Sequence, residues 1–101
     1  MQPLEGMMFL IYLTYKKPLT VVDQFLTAHR EFLEQGYERD YFIVSGPREP
    51  RVGGIILSQL KDKEKLQQII QQDPFYINGI ADYEIIPFIP VKYHRNFATF
   101  V

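Results

Sequence analysis

Two ionisable residues interrupt stripes that are otherwise apolar in this 101-residue chain, His29 and Asp73. In "LQQIIQQDPF", Leu66, Ile69 and Ile70 recur at helical spacing, and the next place on that stripe is held by Asp73. Upstream, Val22, Phe25, Leu26, Phe32 and Leu33 form one face of another helical pattern, whose gap is filled by His29. A carboxylate beside an imidazole nitrogen selects the ring tautomer and leaves the other nitrogen to move a proton. Plainer readings compete with this one. Asp73 can serve solely as the N-cap of a following turn, with Pro74 at the favoured first position. His29 can be an internal histidine bonded to a backbone carbonyl.

The elements that would bring the two together follow from the pattern along the chain. "MFLIYLTY", Met8 to Tyr15, is β-branched, aromatic and aliphatic and predicts a strand ended by Pro18. Thr20 with Asp23 resembles a capping box and opens a helix through about Gln35, with Gly36 as its stop. "DYFIVSG" and "VGGIILSQL" predict the second and third strands, joined by the turn-rich "GPREPRVGG". Asp62 caps a second helix, which Pro74 prevents from continuing past Asp73. A short turn over "PFYINGIA" leads to a fourth strand, "DYEIIPF", and Pro90–Val101 forms an aromatic tail on what reads as one domain over residues 1–101.

Strand, helix, strand, strand, helix, strand is the order of a ferredoxin-like α+β sandwich, an antiparallel sheet with both helices on one face. Such a sheet has one wet face, and its strands should alternate. "FLIYL", "YFIV" and "IIL" do not alternate, so both faces should be covered. A second copy of the sheet would cover the helix-free face, and a homodimer is expected.

Composition narrows the function. A net charge of −1 gives no general attraction to nucleic acid or to a membrane. The glycine-led third strand lacks the aromatics of an RNA-stacking platform. The chain has no cysteine, so neither disulfides nor thiolate zinc sites arise. No close His spacing suits a metal, and no glycine-rich phosphate loop occurs. "MMFLIYL" is shorter than a bilayer span and lacks the flanks of a signal peptide, which makes the cytoplasm the default location.

Taken together, "HREFLEQGYERDYFIVSGP", "GGIILSQL" and "DPFYINGIADYEIIPF" resemble the YciI-like (YCII-related domain) family from the first strand to Phe88. The resemblance implies a dimeric α+β barrel and a site built from a His-Asp pair, His29 and Asp73, with the Gly-Pro strand end at Ser45, Gly46 and Pro47. It also implies enzymes acting on small, often cyclic organic molecules.

The leading expectation is a cofactor-free lyase or isomerase. His29 would be its general acid/base, Asp73 would orient His29, and Tyr12, Phe75 and Tyr76 would line an apolar pocket. The alternative is a non-catalytic dimeric module that binds a small ligand or another protein. Arg48 or Arg51, in the loop, could hold a substrate carboxylate, although loop arginines are ordinarily solvated.

Overall fold

Residues 6–101 are described by a computed structural model. Strand β1 (Met8–Tyr15) is followed by two helices in direct succession, α1 (Leu19–Gln24) and α2 (Leu26–Glu38). Then come β2 (Phe42–Pro47), β3 (Gly53–Ser58), α3 (Lys63–Ile70), the single turn α4 (Pro74–Ile77) and β4 (Ala81–Phe88). A 3-10 helix, Arg95–Phe100, lies in the tail. The strands form one antiparallel sheet in the order β2-β3-β1-β4, which is the ferredoxin-like arrangement.

The register explains why the strands read as unbroken apolar runs. Phe9, Ile11 and Leu13 of β1 face the helices and are buried with Val22, Leu66, Ile70 and Phe75. Their neighbours Leu10 and Tyr12 point the other way, paired with Leu57 and Ile86 and with Ile55 and Glu84. Both faces are therefore apolar, but the helices cover only one. On the other, Val44 is 55% and Phe88 40% exposed.

The first helix departs from its expected outline. It begins at Leu19, ahead of Thr20, with Pro18 at the N-cap and no side-chain cap. The Pro18 carbonyl accepts from the N–H groups of Val21 and Val22, so Thr20 and Asp23 form no capping box. At Phe25 (φ −109°, ψ 3°) the helix is interrupted, and α2 starts afresh. Nor does Gly36 stop α2. Its bare Cα admits the Phe42 ring, for a Cβ there would lie 2.2 Å from Phe42 Cδ2. The left-handed residue that ends the helix is Asp40 (φ 60°), a type that tolerates this conformation. The second helix keeps its expected cap: Asp62 accepts from the N–H groups of Glu64 and Lys65.

Candidate functional site

Pro74 has no N–H and would break α3 if the helix ran on, so the chain turns and restarts as α4. Asp73 is the N-cap of that turn, its Oδ1 accepting from the Phe75 N–H at 3.0 Å. The same carboxylate reaches across to α2. His29 Nδ1 lies 2.8 Å from Oδ1 and 3.0 Å from Oδ2. The Tyr83 hydroxyl on β4 donates to Oδ2. Asp73 is fully buried and His29 is 8% exposed. An ionised carboxylate so enclosed is tolerated only with donors around it, and here there are three, from three elements.

A carboxylate only accepts, so Nδ1 carries the hydrogen. That leaves Nε2, which has no hydrogen-bond partner among the described residues. Packing holds the ring in this orientation: it stacks on Phe75 with centroids 3.9 Å apart and planes 3° from parallel. Phe75 is met edge-on by Tyr15 at 5.9 Å. Burial, reinforced by the Asp73 charge, pushes the Tyr83 phenol far above the ordinary tyrosine range, so Tyr83 remains a donor at any pH where the fold is sound.

Beside the imidazole a cavity of about 640 Å³ opens between α2 and the ends of β2 and β3. Small side chains on the sheet create it. Ser45 is paired with Ile56 and Pro47 with Gly54, and at this end Ser45, Pro47 and Gly54 leave the space under Leu26 and Leu33 unfilled. Ser45 Oγ is hydrogen-bonded to the Tyr37 hydroxyl at 2.5 Å. The solvent side of the cavity carries Asp23, Arg30 and Arg51.

The structure thus gathers His29, Asp73 and Phe75 with Ser45, Gly46 and Pro47 around one cavity. It does not bring Tyr12 or Tyr76 there. Tyr12 stands on the opposite face of the sheet, with the Arg48 guanidinium 4.2 Å above its ring. Tyr76 is exposed, its ring 5.7 Å from that of Tyr83. Both expectations fail because an unalternating strand and a single turn of helix do not reveal which way a side chain points. Tyr83 is the contributor with no chemical signal in the sequence. Its only mark is period-two placement between Ala81 and Ile85 on the inward face of β4.

Among the described residues no cluster of three or more His, Asp or Glu side chains is placed to hold a metal ion. None of their helices is long and apolar enough to cross a membrane. The sequence profile of the YCII-related domain matches residues 7–89. A comparison with curated proteins finds no match. Among solved structures, the chain is similar to 5-chloro-2-hydroxyhydroquinone dehydrochlorinase from Burkholderia phenoliruptrix AC1100, determined in complex with 2,5-dihydroxybenzoquinone. The TM-score is 0.69 at 20% identity, covering 88% of this chain and 97% of that one. At that identity the likeness concerns the fold.

Proposed function

This chain belongs to the YCII-related domain family, and on that footing we propose that it is a cofactor-free enzyme of lyase or isomerase type, moving a proton on a small cyclic organic molecule. The observation that carries the reading is the state of His29: Nδ1 held by a buried carboxylate, Nε2 without a partner among the described residues, and the ring lining a cavity of suitable size. The fold neighbour supports it by analogy, being a dehydrochlorinase in complex with a hydroxylated quinone.

In this mechanism Nε2 takes a proton from a ring carbon made acidic by the substrate's own carbonyl or enol. The electron pair left behind forms a new double bond, either expelling a leaving group or shifting an existing double bond. The imidazolium formed at Nε2 is stabilised by Asp73, which Tyr83 and the Phe75 N–H keep in place. Returning that proton elsewhere on the ring completes an isomerisation, and losing it to water completes an elimination.

The helix-free face of the sheet supports the second part of the reading, a homodimer packed sheet to sheet, because Val44, Ile86 and Phe88 are exposed on it. A dimer that only binds ligands would need the cavity but not the base. Hydrogen–deuterium exchange separates the two. Wild-type protein in D2O should catalyse deuterium incorporation into members of a panel of cyclic enols, hydroquinones and lactones. His29→Gln should remain folded yet lose about a hundredfold in that rate. Equal exchange by both proteins would remove the catalytic assignment and leave the binding module.

A further inference from the structure

We propose that the cavity selects cyclic organic anions, and that Arg51, with Arg30 beside it, recognises the negative charge. This deepens the reading of the His29 cavity as a substrate site and rests on it.

The two arginines come from separate elements, Arg30 from α2 and Arg51 from the β2–β3 connection, and both line the cavity. On a chain of net charge −1, this rim sets two cations against one carboxylate, Asp23. The inner walls are apolar, with Leu26, Leu33 and Ile56 placed to take the body of a ring. A ligand that fits both parts is a flat carbon skeleton with an ionised enol, phenol or carboxyl group.

Asp23 behaves as an internal stand-in for that group. Carried by α1, it accepts from Arg51 at 2.5 Å across the connection. Side-chain exposures of 34% for Arg51 and 52% for Asp23 leave the pair open to solvent, and such pairs are weak enough for another anion to compete. The Arg51 hydrogen bond holds the Asp23 carboxyl below its ordinary range, so Asp23 stays charged as the resident counter-ion. A guanidinium has five N–H groups, and its planar fork suits a carboxylate or a pair of enolate oxygens. Arg30 has no ion-pair partner among the described residues. Arg48, by contrast, is already engaged: it donates to the Leu13 carbonyl and Thr14 Oγ1, both at 3.1 Å, and covers Tyr12.

The test compares 2,5-dihydroxybenzoquinone, whose acidic enols are ionised at neutral pH, with its uncharged ether 2,5-dimethoxybenzoquinone. Calorimetric titrations of wild type, Arg51→Gln and Asp23→Asn measure both affinities, with circular dichroism checking the fold. Wild type should prefer the anion by about tenfold or more, and Arg51→Gln should erase that preference. Asp23→Asn should act in the opposite direction, tightening the anion by about threefold and leaving the ether unchanged, because it releases Arg51. Equal affinity for the two probes, no binding of either, a preference that survives Arg51→Gln, or weaker anion binding in Asp23→Asn would each overturn the proposal. Measured beside these, His29→Gln keeps the two readings apart. Exchange that depends on His29 without an anion preference removes only the role of the arginines. An anion preference with exchange indifferent to His29 removes only the proton transfer.

Discussion

On the helix side of β1, Phe9, Ile11 and Leu13 lie in a closed core, whereas Leu10 and Tyr12, one position along, point to the helix-free face. The side chains are alike in kind, and the polar groups set among them are not. The covered face holds Asp73, which accepts from donors on three elements, and His29, engaged through Nδ1 alone. The open face holds Asp82 and Glu84, both exposed. Proton chemistry needs a dry, fixed base, which only the covered face offers. An apolar surface carrying no such network is suited to association instead.

The largest effect expected from breaking this contrast is on Asp73. Replacing it by Ala removes a cap and strands three donors at once, His29 Nδ1, the Phe75 N–H and the Tyr83 hydroxyl. The loss should be about 3 kcal/mol or more in urea unfolding. Val44→Ala on the open face should change the stability of the isolated subunit by less than about 0.5 kcal/mol. Comparable losses at the two positions would erase the distinction between the faces.

A second expectation concerns alkaline pH. Tyr83 is held protonated in the fold by burial and by the Asp73 charge, while in the unfolded chain it ionises near pH 10. Above that pH the unfolded state binds fewer protons than the folded one, so stability should fall as pH rises, by about 1.4 kcal/mol per unit for this group. Below pH 10 the group contributes no slope. Tyr83→Phe should flatten the decline between about pH 10 and 11 in chemical unfolding; an unchanged slope would mean that the fold does not keep Tyr83 protonated.

The open face can be probed without touching the cavity. Ile86 pairs with Leu10 there and is exposed, so Ile86→Lys should convert a dimer to monomer in sedimentation while folding is retained. Dimer persistence at micromolar concentration would show that association uses another surface.

How much of this is legible in the sequence depends on the range of the interactions. Helical stripes are local, and their spacing marks His29 and Asp73 as polar interruptions of inward patterns, although the helix itself ends at Ile70 and Asp73 lies beyond it. Their meeting is not local. It depends on α4 restarting at Pro74 and on β4 carrying Tyr83 opposite Leu13, a register set by the whole sheet. The cap at Asp73 and the contact with His29, which look like rivals in the sequence, coexist because a carboxylate accepts several hydrogen bonds. Gly36 reads as a stop because a glycine after a helical stripe ordinarily is one. Its cause here is the ring of Phe42, visible only in packing. The side on which Tyr12 stands is hidden for the opposite reason, since a strand apolar on both faces gives no alternation from which to assign one.

The smallest effect is expected at the tail. Pro90–Val101 lies beyond the matched residues 7–89, and Val91 is 80% exposed. Among the described residues its aromatic pairing is internal, Phe97 with Phe100 at 5.2 Å. The cavity wall takes no residue from it, so removing residues 90–101 should leave ligand binding intact and shift subunit stability by no more than about 0.5 kcal/mol. Association is where the tail should register. Residues 90–101 carry Lys92 and Arg95 and no acid, and Asp82 and Glu84 are exposed on the open face, so a partner's tail would meet complementary charge there. Shortening the chain should therefore weaken self-association less than Ile86→Lys does, and more at low salt than at high salt. A sedimentation constant for the shortened chain that matches the full chain at both salt concentrations would confine dimerisation to the sheet itself.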